Sequence, residues 1–409
     1  MKRVAIVGTG IVSSLGNSWG AVKASLYLSK SGIHFNESFL QKGLRSHISG
    51  RIECPEVEHI DRKLRRFMGT NGEWCHVAMS QAVEQAKLGQ EQLSSEDTVL
   101  MVGAGGVASD DLVEAIQVLE DQGIKRVGPY RVTREMASAP SANLATAFKI
   151  RGPSYSVSSA CATSSHCIGL GYQQIKMGMA TTVIAGGVDQ AHWSHAMQFD
   201  AMGALSTQSN EVPTEASRPY DKGRDGFVIS GGAGIMILED WDHALERGAK
   251  ILGEVVGFGM SSDGDNMVAP SGEGAERAMR HALNDAALNT VDYINTHGTS
   301  TPRGDLTELN AIYNVFKDNL PYISSTKSLS GHGLGAAGVH EAIYSLIMMN
   351  EGFVCATANL ENPEGIANDM PMVKQRLDKT VSTALSNSFG FGGTNACLIL
   401  KACHDQTSN

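Results

Sequence analysis

SYSVSSACATSSHCIGLGYQQIKM, residues 154–177, is the stretch from which the chain is best read. A β-prone Ser-Tyr-Ser-Val-Ser run passes through small residues to Cys161, and an apolar helix then begins, so the segment is a strand–turn–helix unit. The same alternation extends in both directions. TVLMVGAG (98–105), TTVIAGGVD (181–189), GAGIMILED (232–240), KILGEVVGFG (250–259), VDYINTHG (291–298), PYISST (321–326) and ACLILKA (396–402) read as strands, with a first strand at 3–8. Their continuous Val, Ile and Leu content fits strands covered on both faces. Helical patterns fall at 72–87, 161–177, 273–288 and 333–349. The last, GLGAAGVHEAIYSLIMM, is apolar almost all round and is expected at the centre of the fold. Strand–helix alternation predicts an α/β layered fold.

Two halves are visible, without a tandem repeat or a low-complexity linker. A boundary near residue 249, after HALERGAK, divides the chain into 1–249 and 250–409, and the loop-rich 200–230 segment decorates the first half. Composition supports a large buried core: 409 residues are 42% hydrophobic and 19% charged. The net charge of −10 excludes a broadly nucleic-acid-binding surface, so an acidic partner would need a local basic patch. Seven scattered cysteines, with no CxxC and no Cys/His cluster, argue against a disulfide framework and a structural zinc site and suit a reducing cytoplasm. The start, Met1-Lys2-Arg3 followed by VAIVGTGIV, imitates a signal peptide but lacks a convincing cleavage site, and no run reaches the ~18 apolar residues of a membrane span.

Five segments carry candidate chemistry. GTGIVSSLG (8–16) imitates a dinucleotide-binding loop, but its glycine spacing is wrong and no acidic residue follows at the right distance; it reads as a Gly-rich strand-to-helix turn. In SVSSACATSSHCIG (156–169), Cys161 at the elbow is expected at a helix N-terminus, where unpaired N–H groups and the helix dipole lower a thiol pKa and can bind an oxyanion. A buried inert cysteine is the competing reading, and Cys167 reads as core. His297, in INTHGTSTPRGD (294–305), follows a strand among small polar residues, a placement shared by catalytic and structural histidines. In SSTKSLSGHGLGAAGVHEA (324–342), Lys327 and His332 lie in a Gly/Ser loop and Glu341 within the apolar helix. A charge there needs a partner, and Lys327 is the candidate. SNSFGFGGTNA (386–396) reads as a glycine-rich loop where backbone can approach a substrate, with Phe391 as a gate.

One cysteine and two histidines on strand-end loops form a nucleophile-plus-donor set. The set, in this order, resembles the β-ketoacyl-acyl-carrier-protein synthases of the thiolase superfamily. SSACATSSHCIG, RPYDKGRDGFV (218–228), VAPSGEG (268–274), NTHGTSTPRGD, STKSLSGHGLGAAG and NSFGFGGTN carry the resemblance, which spans Met1 to about Leu400. Gly231-Gly232, where type II enzymes usually have Gly-Glu, and FDAMGALST (199–207) make it most similar to the bacterial type I synthase.

The resemblance implies a thiolase fold, two similar α/β halves stacked as a five-layer α-β-α-β-α sandwich, in a tight dimer. It implies Cys161 as the nucleophile that takes an acyl group from carrier protein. It implies His297 and His332 as the pair acting in malonyl decarboxylation, with an enolate that condenses onto the Cys161 thioester. Phe391 and Cys161 N–H groups match the oxyanion hole, Lys327 and Glu341 the supporting pair, and Thr299 and Thr301 the phosphopantetheine contacts. His195, Gln198 and Phe199 match the acyl tunnel, with Val107 near the dimer contact. No metal or other cofactor is implied. A carrier-protein surface is expected at Arg62, Lys63, Arg65 and Arg66, with Lys125 and Arg126 as a second cluster; Arg62, Arg65 and Arg66 share one face at helical spacing.

A Cys-less chain-length factor is disfavoured by Cys161, and a coenzyme-A-dependent starter enzyme by His332. A non-catalytic scaffold subunit would have no reason to keep all three residues. A dedicated polyene or polyketide ketosynthase, paired with a Cys-less homologue in a heterodimer, is the alternative to a fatty-acid elongation homodimer. WSHAMQF (193–199) lacks the acidic residue that the housekeeping enzyme carries near Gln198. Polar Gln198 and His195 predict a preference for unsaturated or conjugated acyl chains.

Overall fold

Val, Ile and Leu runs of seven to nine residues, buried along their whole length, place most of the strands inside the molecule. The computed structural model describes residues 1–317 and 319–403. In chain order the strands are β1 (Val4–Val12), β2 (Ile33–Phe35), β3 (Ile48–Gly50), β4 (Thr98–Ala104), β5 (Ser154–Tyr155), β6 (Thr182–Asp189), β7 (Gly232–Asp240), β8 (Gly253–Ser262), β9 (Tyr293–Asn295), β10 (Tyr322–Ser324), β11 (Thr383–Gly390) and β12 (Thr394–Lys401). Ten of them are hydrogen-bonded in the order β10-β9-β11-β12-β8-β1-β7-β6-β4-β5, and β2 and β3 form a separate pair.

The order is a duplication. From the central pair outward, the first half runs first, fifth, fourth, second and third strand (β1-β7-β6-β4-β5), and the second half repeats it (β8-β12-β11-β9-β10). Directions match as well: the inner pairs are antiparallel and the outer ones parallel in both. The halves join through a short antiparallel contact, Val4 with Val255, Ala5 with Glu254 and Ile6 with Gly253.

Helices Thr163–Lys176 and Ala337–Glu351 touch strands of both halves and each other, so they form the central layer. Every residue from Ala337 to Met349 is buried, as an all-round apolar helix requires. Helices Thr70–Ala86 and Ala139–Phe148 cover the first half-sheet, and Glu273–Ala286 and Pro302–Phe316 the second, completing five layers. The thiolase architecture expected from the sequence is therefore present.

Two local readings need correction. GTGIV is strand rather than turn: β1 continues to Val12, and the turn comes at Ser13–Gly16. Its glycines let a helix lie directly on the strand, because a Cβ on Gly8 would stand 2.3 Å from Ala82 O and one on Gly10 1.7 Å from Ala78 O. Gly257 and Gly259 of β8 do the same beneath Ala282 and Ala278. SNSFGFGGTNA is a hairpin rather than a loop: β11 extends through Gly390, pairs with β12, and turns only at Phe391–Gly393.

Candidate active site

The elbow at Cys161 is set by backbone geometry. Ala160 has a left-handed φ of 49°, Cys161 sits in a 3-10 turn, Ala160–Ala162, and the helix starts at Thr163. The Ser159 N–H donates to Thr163 Oγ1 at 2.9 Å, and Ser159 Oγ lies 2.8 Å from His166 Nδ1, so both sides of the turn are braced. The end of β11 crosses the elbow so closely that a Cβ on Gly390 would lie 3.2 Å from Cys161 N. N–H groups of Phe391 and Cys161 are thereby directed at the Cys161 sulphur. Loss of water around that sulphur pushes the thiol up to about 12, with the Asp189 carboxylate adding to the rise, against the lowering pull of Lys327 and the two N–H groups. The expected lowering is thus reversed: Cys161 precedes the helix proper, and desolvation outweighs the nearby positive ends.

His297 follows β9 by two residues. Its N–H and that of Gly298 donate to the two Glu308 carboxylate oxygens at 2.8 and 2.7 Å. Further along the loop, Ser300 and Thr301 N–H groups donate to Asp305 Oδ1, and Tyr220 N–H to Asp305 Oδ2. Arg224 stands 3.4 Å from Asp305 and donates to the carbonyls of Asp221 and Pro302. The RPYDKGRDGFV segment is therefore the clamp that shapes the histidine loop. Burial pushes Asp305 up to about 7. Asp305, Glu308 and Arg224 were missed as site residues in the sequence, since each acts through backbone groups of a distant loop.

His297 and His332 meet with ring centroids 5.2 Å apart and planes at 88°. Burial first, then the Lys327 cation, holds both well below 6.5, so both are neutral near pH 7. Neither Nδ1 has a hydrogen-bond partner among the described residues. A proton there would strand a buried N–H, so we assign it to Nε2 on each ring. Lys327 and Glu341 are both buried and hydrogen-bonded to each other, as their sequence context required. Burial raises Glu341 to about 7, with Lys327 pulling it down.

Cys161, His297 and His332 line one cavity of about 500 Å³ together with Thr299, Thr301, His195, Phe199 and Phe391. Val268, Ala269 and Pro270 of the VAPSGEG segment line the same cavity. Thr299 and Thr301 hydroxyls lie 3.1 Å apart. Phe391 is partly exposed, and its ring follows Phe199 and Phe227 in a row that ends on His332. Val107 and Gln198 are exposed and outside the cavity lining; the Gln198 amide donates to Ser194 O on its own helix. Of the two polar side chains expected in the tunnel wall, His195 lines this cavity and Gln198 does not.

Arg62, Lys63, Arg66, Lys125 and Arg126 are exposed. Arg65, half-buried, is instead paired with Glu73 at 2.6 Å and Glu58 at 3.0 Å, so its charge on the expected three-arginine face is already matched. The Arg66 guanidinium lies over Phe67 and Tyr130, which sets the first basic cluster against the segment that follows Lys125 and Arg126.

Residues 1–244 match the family model "Beta-ketoacyl synthase, N-terminal domain", and residues 252–361 match "Beta-ketoacyl synthase, C-terminal domain". The chain is 51% identical over 404 residues to 3-oxoacyl-[acyl-carrier-protein] synthase 1 of Haemophilus influenzae, covering 98% of this chain and 99% of that protein. A solved β-ketoacyl synthase from Burkholderia phymatum superposes with a TM-score of 0.93 at 32% identity, covering 99% of this chain and 100% of the other. The ishigamide ketosynthase/chain length factor superposes with a TM-score of 0.91 at 29% identity, covering 98% and 100%.

Proposed function

This chain belongs to the β-ketoacyl synthase family, and on that premise we infer that it is a 3-oxoacyl-acyl-carrier-protein synthase of the bacterial type I kind, an acyltransferase that forms C–C bonds in fatty-acid elongation. One cavity holding Cys161, His297, His332 and two sulphur-directed N–H groups supports this assignment.

Acylation begins when the Cys161 sulphur attacks an acyl thioester brought by acyl carrier protein. The Cys161 thiol, held protonated by burial, passes its proton to the departing carrier thiolate. Malonyl-carrier protein then enters with its pantetheine arm along Thr299 and Thr301. Loss of CO2 leaves an enolate, and Nε2–H groups of His297 and His332 donate to the oxygen where negative charge develops. The enolate carbon attacks the Cys161 thioester. N–H groups of Cys161 and Phe391 hold the tetrahedral oxyanion, and its collapse releases the 3-oxoacyl product and expels the Cys161 thiolate, which takes a proton from water to restore the thiol. Burial, with the Lys327 cation beside them, keeps both histidines neutral, so they act as donors rather than as cations.

Carrier protein is acidic-surface chemistry in this scheme and would dock at Arg62, Lys63, Arg66, Lys125 and Arg126. An outward apolar stripe, Leu112, Ile116 and Leu119 on helix Ser109–Gln122, together with Val132 and the sheet-edge strand β5, supports a homodimer. Among the described residues no helix is long and apolar enough to cross a membrane. The cytoplasmic location proposed for the enzyme rests instead on its seven scattered cysteines, which suit a reducing compartment. The specialised ketosynthase with a Cys-less partner is the weaker reading, since similarity to the fatty-acid enzyme, at 51% identity, exceeds that to the ketosynthase/chain length factor, at 29%.

Cys161→Ala and Cys161→Gln test the assignment. The Ala variant should lose condensation, and the Gln variant should keep or raise malonyl decarboxylation because its amide mimics the acylated sulphur. Full elongation by Cys161→Ala would refute the nucleophile.

A further inference from the structure

Duplication gives the molecule a second elbow facing the first. The 3-10 turn Leu334–Ala336 leads into Ala337–Glu351 as Ala160–Ala162 leads into Thr163–Lys176. Leu334, with φ 51°, repeats the left-handed backbone of Ala160, at 49°. Gly335 therefore stands in the place of Cys161. The fourth strand of each half has eight residues and ends at the facing elbow, β11 at Gly390 and β6 at Asp189. Gln190 accordingly corresponds to Phe391.

Two N–H groups converge at each elbow. Around Cys161 they belong to Cys161 and Phe391 and are directed at sulphur. At the related place the N–H of Gly335 donates to Asp189 Oδ2 at 3.1 Å, and that of Gln190 to Asp189 Oδ1 at 3.3 Å, with the Gly106 N–H as a further donor from the first half. A fully buried carboxylate thus fills the counterpart of the oxyanion hole. Burial pushes Asp189 up to about 6, so the cost of holding this charge is real, and no step of the condensation uses it.

Asp189 touches both substrate sides. A Cβ on Gly105 would lie 2.6 Å from Asp189 Oδ2 and 3.1 Å from Ala160 O, so the carboxylate is next to the residue that precedes Cys161. His195, in the acyl part of the cavity, has Nδ1 3.7 Å from Asp189 Oδ1. On the other side, Gly335 lies three residues past His332, on the loop that also carries Lys327.

We propose that Asp189 is a positioning residue that locks the His332 loop against the acyl side of the cavity, so that malonyl decarboxylation depends on it more than acylation of Cys161 does. The proposal rests on the synthase reading above. Without the carboxylate, the N–H groups of Gly335, Gln190 and Gly106 lose their acceptor and the left-handed Leu334 loses its anchor. The loop then relaxes, and a displacement on the order of 1 Å at a reacting group costs about 10²-fold in rate.

Asp189→Ala and Asp189→Asn separate this role from simple packing, because the Asn amide retains an oxygen for the Gly335 N–H. Single-turnover acylation from acyl-carrier protein and steady-state decarboxylation of malonyl-carrier protein are measured on each folded variant. The Ala variant should lose about 10- to 100-fold in decarboxylation kcat with little change in KM, and less than about threefold in acylation. The Asn variant should recover most of the lost kcat. Parental decarboxylation by Asp189→Ala, or equal losses in both half-reactions, would overturn the proposal. Should the Ala variant lack a cooperative unfolding transition, Asp189→Ser takes its place, and the same two outcomes decide. Failure of the parent enzyme to condense acyl- and malonyl-carrier protein would instead overturn the synthase reading.

Discussion

Glu341→Ala removes one side of the ion pair beneath the active site and should cost more stability than any surface change. Both side chains of the pair are 2% exposed, and the Lys327 ammonium is hydrogen-bonded to Glu341. Alanine leaves that ammonium in the protein interior without its carboxylate. Breaking a buried pair from one side costs about 3–5 kcal/mol, whereas removing both charges in favour of apolar residues is close to neutral. Lys327→Met/Glu341→Leu should therefore recover most of the loss, although it cannot restore activity. Urea unfolding at pH 7, with the slope m held as a control, gives each ΔG and closes the double-mutant cycle. The pH dependence has a definite sign. Burial raises folded Glu341 to about 7 from the ordinary 4.5, so its contribution is fully present below about 4.5 and is lost as pH rises through about 7. The gap between parent and Glu341→Ala should thus be wider at pH 5 than at pH 8. A loss below about 1 kcal/mol, the scale of an exposed pair, would refute the buried-pair argument. So would a double variant as unstable as the single one.

His297→Ala and His332→Ala should each lose about 2.7–4 kcal/mol of transition-state stabilisation, or 10²–10³ in decarboxylation rate, while Cys161 can still be acylated; a parental rate in either clears that histidine of the role. Both rings have folded pKa values below 6.5, so unfolded histidine takes up protons first as pH falls, and stability should decline below about pH 6.5 in urea titrations of the parent relative to a His297→Ala/His332→Ala double variant. Charge reversal at Arg62 and Arg66 should raise KM for carrier-protein substrates and flatten its salt dependence while sparing small thioesters. Arg65→Ala should leave KM unchanged, because that side chain is committed to Glu58 and Glu73. In competition between matched saturated and polyunsaturated acyl-carrier proteins, Gln198→Leu should behave as the parent, since Gln198 lies outside the cavity, and any chain preference should move only with His195.

Much was legible in the linear chain because the groups proposed to carry the reaction sit on short segments with distinctive local chemistry. Cys161 after a strand, the two histidines in Gly-, Ser- and Thr-rich loops, and a lone Glu341 in an otherwise apolar helix are local patterns, and each survives in the structure. The central helix was legible for the same reason: an apolar surface all round leaves no face for water. The duplication was written there too, as VGTG (7–10) in β1 and VGFG (256–259) in β8, but a Gly-x-Gly pair acquires its meaning only when a helix lies on it.

Tertiary structure decided whatever depends on distance between remote segments or on access of water. Whether a cysteine beside a helix start has a low or high pKa depends on the competition between nearby positive ends and the removal of solvent, and only the enclosing cavity shows that desolvation prevails. Arg65 looks free in a basic run until Glu73, eight residues on, folds back to it. Gln198 looks like a tunnel residue until its helix is rotated into place. Asp189, Asp305 and Glu308 carry no local signature, because each serves backbone N–H groups of other segments, and those groups are the same in every residue. Sequence determines which chemistry is carried; which groups lose water and which N–H finds which carboxylate is settled only when the two halves close on each other.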